Sequence, residues 1–265
     1  MKNHKVIENL IREFCSVNDR SVRIKIVDKF ESWEYGVQDD IKQPAASLLK
    51  ILIAVAVEDK IKKNLLDPSQ SLRVGTLIDS EFEPSILRSL DSSHSVTVAE
   101  LMRISLSASD PFANRHLLSL TELSHLREIL LLANCVDTEI EYQAGPSLKN
   151  IIGKTTARDA LNLIEFGSDI KKYSITASGL RSSILNSRNP LGIANMGTQI
   201  SHKTGTLLSV AHDVALIKCH EATISVAFLT ENQDDTLQTG YEMGICMRRI
   251  LETLNYTVKF SRGYD

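Results

Sequence analysis

From Ala45 to Val57 the chain carries thirteen residues of which only Ser47 and Lys50 are polar. That run is too short for a bilayer, which takes roughly 20 apolar residues, and it contains a charge. Pro44 suits a helix start, and Ala45 to about Asn64 reads as one long helical segment. On a helix, positions i and i+3 share a face, so the Ser47 hydroxyl and the Lys50 amine can meet. A hydroxyl in the first turn gains from the positive end of the helix dipole as it loses its proton. An ammonium surrounded by apolar side chains has its pKa pushed down, which makes a neutral lysine available as a base.

The rest of the chain frames that pair. With 265 residues and 43% apolar content there is material for a sizeable core and for one or two domains. A formal charge of −3 argues against a nucleic-acid binder working by bulk electrostatics. No transmembrane helix is expected. Four scattered cysteines, Cys15, Cys135, Cys219 and Cys246, show no metal-ligand spacing and read as idle thiols. Neither a metal nor another cofactor is expected, and Gly-rich phosphate loops are absent. Lys60-Ile61-Lys62-Lys63 reads as a solvated helix end. The N-terminus reads as an amphipathic helix and not as a signal peptide, so the chain as written is expected in the cytoplasm; a processed form would be periplasmic or secreted.

Periodicity gives the order of elements. Val22 to Val27 alternates apolar and basic residues as a half-buried strand, with Glu31 to Val37 as its hairpin partner. Helices follow at Thr97 onward, where Thr97 and Glu100 form a capping box, at Leu117 to Leu132 and at Thr155 to Phe166. Short strands return at Gln199 to Leu208, Asp213 to Lys218 and Thr223 to Thr230, before a last helix at about Leu237 to Leu254. Strands, then helices, then strands and a helix point to an α+β fold. The expectation is an antiparallel sheet from both chain ends with flanking helices, residues 1–44 and 170–265, plus an inserted all-helical domain, residues 45–169. The active site would lie in the cleft between them.

Two further clusters can carry chemistry. Lys203-Thr204-Gly205, followed by Thr206, lies in a strand where a lysine, hydroxyls and a close-approaching backbone could hold a substrate carboxylate. Ser109-Asp110-Pro111 ends the helix begun at Thr97, and a hydroxyl between two lysines could pass a proton to a leaving group. Each alone has an ordinary reading: an edge strand, or a turn. The S-x-x-K pattern also occurs at Ser168 to Lys171, in polar surroundings that suit a solvated helix end. His212-Asp213 reads as a structural turn contact and not as part of a Ser-His-Asp set.

In this order, S-x-x-K, S-D-x and K-T-G resemble the class A β-lactamase-like serine hydrolases, the penicillin-recognising serine enzymes. The resemblance runs from about Val22 to the terminal helix. It implies Ser47 as acylated nucleophile, Lys50 as general base, Ser109 as proton relay and Lys203 as the charge beside it. Thr204 and Thr206 would hydrogen-bond the substrate carboxylate, Gly205 between them would belong to the same substrate-binding strand, and the backbone N–H groups of Ser47 and Thr206 would form the oxyanion hole. Two departures stand out. Pro111 replaces the family's asparagine, which holds the substrate's acyl-amide group; Asn114 close behind is a candidate substitute. The family's deacylating glutamate, in Glu-x-x-Leu-Asn, has no counterpart, since Tyr142 to Lys154 contains no acidic residue. The reading is therefore a serine acyl-hydrolase that opens a β-lactam or related amide or ester and is slow on ordinary penicillins. A non-hydrolytic receptor for an acidic ligand, an acyl-transfer member of the fold and a biosynthetic esterase or amidase remain alternatives. The partner is a small molecule bearing a carboxylate.

Overall fold

The computed structural model describes residues 3–17, 19–28, 30–78, 83–143, 150–194, 196–219 and 222–255. Along the chain run α1 (His4–Phe14), β1 (Arg20–Asp28), β2 (Ser32–Val37), β3 (Gln43–Pro44), a 3₁₀ turn (Ala46–Leu48) and α2 (Leu49–Lys62). Then come β4 (Ser71–Arg73), α3 (Val74–Leu77), β5 (Ser95–Thr97), α4 (Val98–Ser107), α5 (Pro111–Ser119) and α6 (Leu123–Leu132). After these follow β6 (Glu139–Gln143), β7 (Asn150–Thr155), α7 (Ala157–Gly167), α8 (Ser174–Arg181) and α9 (Asn189–Ile193). The chain closes with β8 (Gln199–Leu207), β9 (Val210–Lys218), β10 (Ala222–Thr230) and α10 (Thr236–Thr253).

The main sheet is antiparallel in the order β2-β1-β10-β9-β8. It therefore joins both ends of the chain. Alternating apolar side chains send Ile24, Ile26, Ile224 and Phe228 into a core with Ile7 and Ile11 of α1 and Met243 and Met247 of α10. From the other face Val214, Ala227 and Leu229 enter a second core built around α2, which α4, α5, α6 and α7 surround. Residues Ile51 to Val57 of α2 are wholly buried, as an apolar run on all sides requires. Its one buried acid, Glu58, accepts the backbone N–H groups of Ile175 and Thr176, at 2.8 Å each, where α8 begins. A carboxylate at a helix N-terminus is stabilised by those otherwise unpartnered donors.

Four expectations need correction. The long segment from Ala45 starts as a 3₁₀ turn, because Ala46 has φ 48°, which no α-helix accommodates. Leu117 to Leu132 is not one helix: α5 ends at Ser119 and α6 starts at Leu123, the break being bridged by the Lys60 ammonium bound to the Leu120 carbonyl at 2.9 Å. The helix placed at Thr155 begins at Ala157, with Thr156 as its cap, because Thr155 belongs to β7. The insert over residues 45–169, expected to be all-helical, also holds strands: β4 pairs with β5, and β6 and β7 form a small sheet with β3. Part of the acid-free segment 142–154, residues 144–149, lies outside the described residues.

Among the described residues no helix is long and apolar enough to cross a membrane. The capping box at Thr97 forms as read: Thr97 Oγ1 accepts from Glu100 N, and the Glu100 carboxylate accepts from Thr97 N at 2.7 Å.

Candidate active site

Three elements meet where β8 packs against the turn carrying Ser47. The turn is fixed from two sides. Ala45 N donates to Gly153 O of β7 at 2.8 Å, and the buried His212 of β9 donates Nε2–H to Pro44 O at 2.7 Å. His212 Nδ1 accepts from Thr230 N at 3.0 Å, so the ring is a neutral strut, and burial lowers its pKa to about 4. Together these bonds hold Ala46 in its left-handed conformation and present Ser47, half-buried, to a cleft of about 380 Å³. Gly205 explains the close approach of the strand: a Cβ there would lie 3.1 Å from the His212 ring and 3.3 Å from Ala46 Cβ.

Ser109 lies at the end of α4 with φ 56°, a conformation that costs a serine of order 1 kcal/mol or more and is held by the surrounding bonds. Its Oγ is 3.1 Å from Lys50 Nζ and 3.0 Å from Lys203 Nζ. Lys50 also donates to the Ser109 carbonyl, and Lys203 donates to Thr204 O at 2.8 Å. Lys203 is fully buried. Burial and the neighbouring Lys50 hold the Lys203 amine well below its usual pKa. Burial brings Lys50 down to about 8, against the opposing pull of the Asp110 carboxylate. Two amines sharing one hydroxyl, with little water, favour a state in which one of them is neutral.

Asp110 takes no part in that exchange. Its Oδ1 caps α5 through Phe112 N and Ala113 N, both at 3.0 Å, and its Oδ2 accepts from Ser85 Oγ at 2.5 Å and Ile86 N at 2.9 Å. Pro111 then occupies the first helical position, where its fixed φ and missing N–H fit. The proline that departs from the motif is thus a good α5 start.

Ser47, Lys50, Asn114 and Thr206 line one cleft, together with Pro111, Glu83, Arg115 and residues of β6 and β7. Ser109 lines an adjoining depression that shares Glu83 and Pro111. Thr204 is buried one step deeper on β8. The meeting of Ser47 and Lys50 takes another form than the i, i+3 spacing suggests. Among the described residues no hydrogen bond joins them, and the amine is turned to Ser109. Asn114 faces the cleft, while its Oδ1 accepts from Ser105 Oγ at 3.4 Å.

Sequence reasoning missed two groups. Arg188, buried ahead of α9, donates to Gly205 O at 3.0 Å, to Thr206 Oγ1 at 2.7 Å and to the His212 carbonyl. It stands a guanidinium behind the hydroxyl that faces the cleft. The sequence Ser187-Arg188-Asn189-Pro190 looks like a turn and gives no signal of this. The only pointer is the glycine pair that seats α9: a Cβ on Gly192 would fall 1.8 Å from Gly244 O of α10. The second group is the ion pair Glu83–Arg115, at 2.5 Å, on the cleft wall. Among the described residues Glu83 is the only carboxylate lining the cleft. Glu139 instead binds Lys42 at 2.6 Å, away from the cleft. Among the described residues no cluster of His, Cys, Asp and Glu could hold a metal ion.

Residues 4–243 match the sequence model of the Beta-lactamase enzyme family. No curated protein sequence matches. Solved structures match over nearly the whole chain. A class A β-lactamase double mutant of the last common ancestor of Gram-negative bacteria is 19% identical, covering 94% of this chain and 99% of its own, with a TM-score of 0.77. A β-lactamase from Sphaerobacter thermophilus is 20% identical, covering 94% and 97%, with a TM-score of 0.74. PBP-A is 17% identical, covering 96% of each chain, with a TM-score of 0.76. At such identities the likeness is one of fold.

Proposed function

The chain belongs to the beta-lactamase enzyme family, and on that premise we propose that it is a serine acyl-hydrolase forming an acyl-enzyme on Ser47. The observation that carries the reading is the Ser109 hydroxyl held within about 3 Å of both Lys50 and Lys203. In the first step Ser47 Oγ attacks the carbonyl carbon of an ester, amide or lactam. Its proton passes to neutral Lys50, and the C–O or C–N bond breaks. Lys50 returns a proton through Ser109 to the departing oxygen or nitrogen, with buried Lys203 keeping that path electropositive. Thr206, backed by Arg188, is the anchor for a substrate carboxylate, and Thr204 lies beside it.

In the second step water attacks the acyl carbon, the bond to Ser47 Oγ breaks, and serine regains a proton as a carboxylic acid leaves. The described part of the wall formed by β6 and β7 offers no carboxylate to activate that water. Lys50 is the remaining base. It is neutral again once it has passed its proton on, but its amine is turned to Ser109 and the described part of that wall adds no carboxylate, so the second step is slow and ordinary penicillins turn over poorly. Intact-protein mass spectrometry with benzylpenicillin and with an activated ester tests this. The expected result is an acyl adduct on the wild type that is missing in Ser47→Ala. No adduct and no turnover, or unchanged turnover in Ser47→Ala, overturns it.

A ligand receptor without hydrolysis is the second reading, favoured by the lack of a carboxylate among the described cleft-lining residues of β6 and β7. It predicts thermal stabilisation by a carboxylate ligand that survives Ser47→Ala, with no chemical product.

A further inference from the structure

The walls of the cleft differ in what they leave unsatisfied. Several of its polar lining groups are engaged: Arg115 with Glu83 at 2.5 Å, Asn114 Oδ1 with Ser105 at 3.4 Å, Asn150 Oδ1 with Ile151 N at 3.0 Å, and Thr206 with Arg188 at 2.7 Å, while the side-chain amide of Gln143 lies on the same lining. Pro111, on the same lining, has neither an N–H nor a polar side chain to offer. Two apolar side chains on the lining are open as well. Ile152 of β7 is 40% exposed and Leu207 at the end of β8 is 49% exposed, and both line the cleft that holds Ser47. The next residue, Leu208 at the hairpin tip, is 100% exposed. Scattered exposed leucines need no explanation, but apolar side chains on two elements bordering one nucleophile do.

Resting on the serine-hydrolase reading, we infer that the acyl part of the substrate carries an alkyl chain, longer than that of acetyl, that lies against Ile152 and Leu207. Its occupant follows from continuity: an acyl group bonded to Ser47 Oγ starts inside this cleft and can leave it only along the lining. The carboxylate of the substrate sits on the leaving part, toward Thr206, with Arg188 behind it. A cleft of about 380 Å³ is within the size range of small-molecule sites, large enough for a chain of several carbons.

The test is a series of p-nitrophenyl esters from acetate through butyrate and hexanoate to octanoate, with release of nitrophenol and the mass of the Ser47 adduct both followed. Removing one methylene from water stabilises a complex by about 0.8 kcal/mol, or up to roughly fourfold. The wild type is expected to gain about two- to fourfold in kcat/KM per added methylene up to hexanoate. Ile152→Thr and Leu207→Thr, both at exposed strand positions, should each reduce the hexanoate-to-acetate ratio several-fold. A flat or falling series, with Ser47 still acylated, overturns the alkanoyl inference and leaves the serine-hydrolase reading standing. No acylation of Ser47 by any ester removes both.

Discussion

The two sides of the cleft are built to different standards. On one side β8, the end of α4 and the Ser47 turn bring together the Ser47 hydroxyl, the half-buried Lys50 and buried Lys203 amines, the Ser109 hydroxyl they share and the Arg188 guanidinium, most of them fixed by bonds of about 3 Å. On the other side the hairpin β6–β7 offers Ile152 and the amide side chains of Gln143 and Asn150 among its cleft-lining residues. The same hairpin is nonetheless firmly placed. Gly153 lets β7 approach β6 closely, since a Cβ there would fall 2.1 Å from Glu139 O, and its carbonyl holds Ala45. Under the proposed mechanism, the difference teaches that forming and breaking an acyl-enzyme are separable demands on the fold. The polar groups gathered here suit the first, while the described part of the β6–β7 wall supports the turn that carries Ser47.

Breaking the equipped side gives the largest effects. Ser47→Ala should lower kcat/KM for an activated ester by on the order of a thousandfold or more and abolish the adduct, as judged by spectrophotometry and intact mass. Ser109→Ala removes the hydroxyl between the amines and should slow acylation about a hundredfold, measured as the rate of adduct formation, while thermal unfolding shows the fold intact. Acylation should also follow the protonation of Lys50. The free amine is the base and its pKa is about 8, so the acylation rate should rise about tenfold per pH unit below 8 and level off above it. A profile that is flat from pH 6 to 9 would separate Lys50 from the chemistry.

Changing the neutral wall gives smaller effects of opposite kind. Gln143→Glu places a carboxylate on the cleft lining, and the loss of adduct should quicken about fivefold while adduct formation changes little. His212→Gln tests the strut between β9 and the nucleophile's turn. Losing its buried bonds should cost about 1–3 kcal/mol of stability in a denaturant melt. The wild-type ring, with its pKa lowered by burial from 6.5 to about 4, takes up fewer protons folded than unfolded between those values. Its contribution to stability is therefore present above pH 6.5 and lost as pH falls toward 4, so the wild type should lose melting temperature over that window more steeply than the variant.

Much of the equipped side is legible in the sequence, because its chemistry resides in short patterns. Ser47 and Lys50 stand out against an apolar background, and Lys203 and Ser109 lie in recognisable tripeptides. The main sheet is legible from alternation at both chain ends, and the α1 and α10 segments from their helical periodicity. Residues that act through tertiary placement leave no such trace. Arg188 looks like part of a turn until α9 packs on α10 through Gly192 and Gly244. Arg115 and Glu83 are 32 positions apart and pair only because Asp110 ties the Ser85 segment to α5. The hairpin β6–β7 is hard to read because it is short, and its outward positions Glu139, Glu141 and Asn150 are poor strand formers. The break between α5 and α6 is hidden by leucines that keep helical spacing through it.

Rapid-mixing kinetics of nitrophenol release from an activated ester, at enzyme concentrations high enough to count sites, addresses the central claim most directly. The account predicts a burst of about one product per protein molecule, followed by a much slower steady rate, with the burst missing in Ser47→Ala. Release that is linear from the first turnover, with no modified Ser47 by mass, would contradict it.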